Sequence, residues 1–411
     1  MTETRGWCFL SSAEIKMMKK YLFCLVLVLS LPGFVLPGCG CVPGEETGPE
    51  KSFSQESSDS SSSQEREQNK FSRFGYYQLS GVEQIWYRDI EQILVQMQEK
   101  GSLSEEGLKA GLDESCIDFI FQRVLDDHPE LFYVDGYTYT NYTRDIRTVA
   151  IEFSGSYNLG TEEVTQYRAQ IDAAVAGLLE GVDETWDDYE KVKYAYETLI
   201  LHTEYDLNAP RNQDIYSVFV GHASVCQGYA KAFQYLCNRM GVECGLVQGR
   251  VKNTGEYHAW NLVKADGAYY YVDTTWGDIS FKEEEQEILL KISYDYLCVT
   301  GKILEKTHEA DSRLVLPECS AVADNYYVRE DACFTEYDTE KLQKMVDDAI
   351  LSGRNLVTFQ CTDKACYDQM HQALIEEKGF FYFLEKQGPK SFVYMDNESQ
   401  LTITFFMMTS N

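Results

Sequence analysis

The chain has 411 residues, 44% of them hydrophobic and 25% charged, enough for one large core or for roughly two to three domains. Its formal charge of −30, with no basic aromatic patch to offset it, excludes a nucleic-acid partner and disfavours anionic lipid surfaces. Glycine-rich phosphate loops are missing, which sets nucleotide chemistry aside.

Lys16, Lys19 and Lys20 precede the apolar run Tyr21 to Leu29, too short for a comfortable membrane span and flanked as a signal peptide is. Met17 or Met18 would make a more economical start than Met1. The ending Leu36-Pro37-Gly38-Cys39 resembles the bacterial lipoprotein signal, with Cys39 as the acylated residue; an ordinary secretory signal cut nearby is the alternative. Residues 1–38 are thus expected to be removed. Residues 39–70, dominated by Ser, Glu, Gln, Gly and Pro, cannot bury enough apolar surface to fold and read as a tether. The expected location is extracytoplasmic, on the cell surface, with the body held to the membrane by lipid.

Residues 71–160 read as a helix and hairpin region. Val82, Ile85, Trp86, Ile90, Ile93, Leu94 and Met97 predict a helix over 81–100 with Gly101 as its cap, and Ile117 to Leu125 predict a second. Strands follow at 136–142 and 147–153, rich in Tyr, Thr, Val and Ile. Residues 161–318 form the expected core. Thr161 is positioned to cap one helix, and Asp183 or Thr185 another that carries Tyr189, Val192, Tyr196 and Leu199.

After an irregular approach, Tyr229, Ala230, Phe233, Leu236, Cys237 and Met240 make a helical stripe closed by Gly241. Cys226 falls at its first turn, where unpaired backbone N–H groups and the helix field favour a thiolate. Cys237, mid-helix, reads as a small buried hydrophobe. Strands are expected at 243–251, 257–264 and 268–273, with Asp266-Gly267 as a two-residue hairpin turn. Pairing Ala265 with Ala268 sets Trp260 opposite Asp273 and His258 opposite Thr275, which leaves His258 and Asp273 on one face as diagonal neighbours unless a bulge intervenes.

A lone cysteine at a helix start is more often structural than catalytic. A histidine and an aspartate of compatible strand parity change that balance: Cys226 would attack a carbonyl, His258 would hold the thiolate and protonate the leaving group, and Asp273 would orient the ring. His222 stands four residues before Cys226 in an irregular segment, and a solvent or loop-packing role is the simpler reading for it. His128, His202, His308 and His371 are scattered, and no His-x-x-x-His or Cys-x-x-Cys pair occurs, so neither metal nor cofactor is expected.

Val225-Cys-Gln-Gly-Tyr-Ala230, Val247-x-Gly249, His258-Ala-Trp-Asn261 and Tyr271-Val-Asp-Thr-Thr-Trp-Gly-Asp278 resemble the core of the transglutaminase-like superfamily, especially its bacterial secreted members, over residues 185–320. The resemblance implies an α+β, papain-like fold in which a cysteine-bearing helix packs on an antiparallel sheet. It also implies a triad of Cys226, His258 and Asp273, and pocket-framing positions at Trp260, Asn261, Thr275, Trp276 and Asp278, for which packing is an equal reading. The superfamily includes cross-linking enzymes, peptidases, amidases and members without activity, so the choice between water and amine as acceptor stays open.

Residues 319–411 read as a small C-terminal α/β module: strands near 326–329, 355–360, 380–384, 391–395 and 402–406, with helices from Thr339 and over 365–377. Cys361 and Cys366 are a disulfide or two core thiols, and the module is either a substrate-positioning element or a packed appendage. The functional expectation is a surface-tethered, thiol-dependent acyl-transfer enzyme acting on peptide or amide bonds of a peptide, protein or cell-wall substrate. The alternatives are a catalytically inactive transglutaminase-like module that binds peptide or cell-wall polymer, and a structural module stapled by disulfides.

Overall fold

Helix α1 (Glu83–Val95) forms because Trp86, Ile90, Ile93 and Leu94 recur on one face, and that face is buried against α2 (Ile117–Asp127). It stops short of the expected Gly101 cap: Met97 turns to φ 49°, and Gly101 instead starts a short strand opposite Phe153. A Cβ at Gly101 would meet the Ile93 side chain at 2.7 Å, so the glycine serves a close approach rather than a helix end. Strands β1 (Val134–Arg144) and β2 (Arg147–Tyr157) pair antiparallel and run longer than expected. They cover the helices through Phe121 on Tyr137, with ring centroids 4.7 Å apart, and through Tyr157 Oη donating to Ile93 O at 3.1 Å.

This computed structural model describes residues 3–9, 73–279, 290–385, 389 and 391–408. The expected signal peptide beyond residue 9, Cys39 and the tether lie outside the described residues. Glu3–Phe9 pairs with the first hairpin strand, and the described residues form one compact unit. Among the described residues no helix is long and apolar enough to cross a membrane.

Helix α3 (Thr161–Leu179) is capped by Gly160 rather than Thr161, with Glu163 Oε2 accepting from Gly160 N at 3.0 Å. Helix α4 (Asp188–His202) starts later than expected because Asp183 is used by Thr185 N in a turn, while Asp187 and Glu190 form a reciprocal capping box.

The fold is α+β, and its centre is α5 (Cys226–Arg239), whose buried face of Tyr229, Ala230, Phe233, Leu236 and Cys237 packs on an antiparallel sheet. That sheet has β3 (Glu243–Val251), β4 (Tyr257–Ala265) and β5 (Ala268–Val272), followed by the single helical turn α6 (Thr274–Gly277) and joined at the far edge by β6 (His308–Ala310), in the order β6-β3-β4-β5. Ala265 faces Ala268 across the two-residue turn, with Asp266 and Gly267 both at positive φ.

The C-terminal module comprises α7 (Thr339–Leu351), β7 (Leu356–Cys361), α8 (Lys364–His371), β8 (Ser391–Asn397) and β9 (Thr402–Met408), with Cys333–Phe334 parallel to β7 at one sheet edge. Two expected strands are helical turns. Asn325 caps Tyr326–Arg329 by accepting from Tyr327 N at 3.1 Å, and Phe380, Phe383 and Leu384 are buried at helical spacing.

Candidate functional site

Three elements deliver the ionisable side chains. His258 is the second residue of β4, in register with Gly249 of β3. The β4–β5 ladder ends at Asn261 opposite Val272, because Asp273 leaves the sheet to cap α6: its Oδ1 accepts from Trp276 N at 3.0 Å. Thr275 therefore lies in α6 and does not face His258 across a ladder. Asp273 Oδ2 lies 2.7 Å from His258 Nε2, with both side chains nearly buried.

A second imidazole shares that oxygen. His308 Nε2 lies 3.0 Å from Asp273 Oδ2, and His308 Nδ1 lies 2.8 Å from Thr307 Oγ1. His308 pairs with Val251 at the edge of the sheet, and Gly249 lets that edge close: a Cβ there would meet Glu309 O at 2.2 Å and the Trp260 ring at 2.6 Å.

An ionised carboxylate only accepts, so both Nε2 atoms carry protons directed at Asp273. Burial pushes the Asp273 carboxyl up, but facing His258 and His308 outweigh it and hold the group well below the usual carboxylate range. Burial opposes protonation of His258, yet the charge and hydrogen bond of Asp273, with a smaller contribution from Cys226, raise its pKa to about 10. At neutral pH His258 is a proton donor rather than a free base.

The expected triad is corrected here. The compact group among the described residues is His258–Asp273–His308, whose ligand-type atoms all lie within 4.8 Å of one another, and Cys226 is outside it. Cys226 is the first residue of α5, half-buried, close enough to influence His258 but not part of the shared-carboxylate cluster. The carboxylate assigned to a single base is divided between two imidazoles. The expectations of a cysteine nucleophile, a Cys-His-Asp catalytic triad and a cysteine-protease or transglutaminase mechanism are accordingly not carried forward.

A metal ion bonded at roughly 2 Å to each of the three atoms would suit their spacing. Imidazole nitrogens ligate only after losing the proton on the ligating atom, and here both Nε2 protons are directed at Asp273. The group as it stands is a hydrogen-bonded cluster centred on Asp273.

The five framing positions divide by role. Trp276, half-buried, borders the cluster, with centroids 4.7 Å from His308 and 6.1 Å from His258, and Trp260 stacks on the other side of His258 at 6.0 Å. Asn261 ties sheet to helix, its Nδ2 donating to Ala230 O at 2.9 Å. Asp278 is buried and accepts from Tyr229 Oη at 2.9 Å, so it holds α5 rather than a pocket wall. Thr275 is buried, with no hydrogen-bond partner for its hydroxyl among the described residues. His222 sits at φ 55° in an exposed loop position. At the helix start, Gly228 leaves room for Ser224, whose Oγ would lie 2.0 Å from a Cβ there.

Sequence reasoning missed His308, 35 residues beyond Asp273, because its strand is three residues long and carries no motif. The one available signal was Gly249, whose missing side chain implies a close neighbour on β3.

With the fold and cluster in place, the chain can be set beside known proteins. Residues 177–274 match the family model for the transglutaminase-like superfamily. The chain is 31% identical over 125 residues to Kyphoscoliosis peptidase of Homo sapiens, covering 27% of this chain and 18% of that protein. The protein of the same name from Mus musculus is 30% identical over 125 residues, with the same coverage of 27% and 18%. The chain thus spans only 18% of the length of the curated relatives it matches. Among solved structures, that of a TGase is 17% identical with a TM-score of 0.26, covering 37% of this chain and 47% of its own.

Proposed function

We propose that this chain is a peptide-binding module of transglutaminase-like type, in which the surface beside Trp276 and the start of α5 receives an extended peptide segment. The observation that carries this reading is Asp273 Oδ2 shared at 2.7 and 3.0 Å by two imidazoles, which makes the buried ionisable group a structural keystone. Beside it stand groups suited to a peptide: the half-exposed Trp276 indole and Tyr205 beside Cys226. The match of residues 177–274 to the superfamily model supports a protein or peptide ligand over other polymers. Attachment through Cys39 would hold such a module outside the cytoplasm, and this belongs to the proposal.

Titration calorimetry against protein-derived and wall-derived peptides tests it, using the intact chain, Trp276→Ala, and chain alkylated at Cys226. Binding that survives alkylation and falls at least tenfold in Trp276→Ala is expected. Release of ammonia or new amino termini that disappears in Cys226→Ala would overturn the reading, as would binding of wall glycan with no peptide.

A further inference from the structure

The C-terminal sheet buries one face in apolar side chains and lines the other with hydroxyls. Phe359, Ile403 and Phe405 pack with Leu342 and Val346 of α7. By strand alternation Thr358, Thr402 and Thr404 point the opposite way, and the Thr358 and Thr404 hydroxyls meet across β7 and β9 at 2.9 Å. Between that face and the core lies a cavity of about 500 Å³, within the range of small-ligand sites and at the kind of junction where they gather.

The strand register gives the cavity a direction. At one end Thr402 Oγ1 donates to Asp295 Oδ2 at 3.1 Å, and the ring of neighbouring Tyr296 lies 5.1 Å from Trp276, which itself lines the cavity. At the other end Leu356 pairs with Phe406, and Arg354 stands two residues further on. From Thr402 to Phe406 an extended strand rises about 13 Å, so an extended peptide lying alongside would span that distance with about four residues.

The charges on the lining single out Arg354. Glu330 pairs with Lys193 at 2.5 Å, Asp331 with Lys341 at 2.7 Å and Asp348 with Lys344 at 3.0 Å. Asp295 is held by Tyr327 Oη, Asn397 Nδ2 and Thr402 Oγ1, and Asp396 accepts from Tyr367 Oη at 2.6 Å. Arg354 donates through Nε to Ser352 Oγ at 2.9 Å and has no acidic partner among the described residues, which leaves the Nη1 and Nη2 fork for a carboxylate. The field of a chain at −30 is screened beyond roughly 8 Å at physiological salt, so the cation at the end of the cavity decides what binds there.

We propose that this cavity extends the peptide site, and that it takes a segment bearing a carboxylate about four residues beyond the residue that meets Trp276, with Arg354 as the carboxylate's partner. The assignment rests on the peptide-binding reading above. Thr358 and Thr404 form the hydroxyl floor beneath the segment, and the C-terminal module is then the part of the protein that selects acidic ligands.

Titration calorimetry of the full chain at physiological salt tests this with one acetylated pentapeptide, a tyrosine followed by four alanines. Three forms are compared: the free acid, the C-terminal amide, and an amide whose last residue is glutamate. The free acid, the glutamate form or both should bind at least about tenfold tighter than the neutral amide, and the form that gains identifies a C-terminal or a side-chain carboxylate as the one taken. Arg354→Gln, at an exposed position, should erase that advantage and leave binding of the neutral amide as in native chain. Arg147→Gln, at the exposed turn of the first hairpin, should leave the advantage intact. Equal binding of the three forms, an advantage that survives Arg354→Gln, or one that Arg147→Gln erases as well, overturns the proposal. In each of those cases the peptide-binding reading stands if binding still falls in Trp276→Ala, whereas native chain that binds none of the three overturns both.

Discussion

Replacing Asp273 by Asn removes the one negative charge that both imidazoles face and preserves the side-chain volume. The rise of His258 from an ordinary 6.5 to about 10 corresponds to about 5 kcal/mol. That energy belongs jointly to His258 and Asp273 and is counted once. A histidine whose folded pKa is raised contributes stability that is complete below about 6.5 and lost as pH rises toward about 10. Within that window the folded state holds one proton more than the unfolded chain, so this contribution falls by about 1.4 kcal/mol per pH unit. His128, raised to about 9 by Glu130 and Glu91 against the opposing effect of burial, adds a slope of the same sign to native and variant chains alike. That slope cancels in the difference between the two chains. Urea denaturation of native chain and Asp273→Asn from about pH 6.5 to about pH 9.5 should give a stability difference that shrinks by about 1.4 kcal/mol per unit. A difference that stays constant across that range would refute the charge-sharing account of the cluster.

Gly249→Ala should cost about 3 kcal/mol and separate the His308 strand from β3, because the new Cβ meets Glu309 O at 2.2 Å with backbone on both sides; thermal melting and the His308 resonances would report it. Asp295→Ala leaves Tyr327 Oη, Asn397 Nδ2 and Thr402 Oγ1 without their shared acceptor, and limited proteolysis should then cut the C-terminal module sooner at unchanged protease. Iodoacetamide on native chain near pH 8 should modify Cys116, Cys226 and Cys333 before the buried Cys237, Cys244, Cys298, Cys319, Cys361 and Cys366; burial pushes the Cys237 thiol well above its ordinary value. Mass mapping that finds Cys237 or Cys298 labelled first would contradict the packing of α5 on its sheet.

Much of the architecture was legible because it is local. The stripe from Tyr229 to Cys237 and the Gly241 stop mark α5, and the Asp266-Gly267 turn sets the β4–β5 register, which directs His258 and Asp273 toward one side before Asp273 leaves the sheet to cap α6. Errors gathered where two local signals compete. Phe380 to Leu384 is aromatic enough for a strand, yet its buried residues recur at helical spacing. Asp183, Thr185 and Asp187 can all cap, and only Asp187 has a glutamate three residues on to close the box.

By itself the sequence determined the elements of the core and the closeness of His258 to Asp273, since hydrophobic period and turn chemistry act over a few residues and carry strand parity with them. Only the tertiary structure decided what shares Asp273. His308 reaches it through a three-residue strand that gains its place by pairing with β3 across the gap left by Gly249. It leaves no periodic trace, because a single side chain delivered across a sheet edge obeys no repeat. The carboxylate that reads in sequence as the orienting partner of one histidine is, in the fold, the meeting point of two.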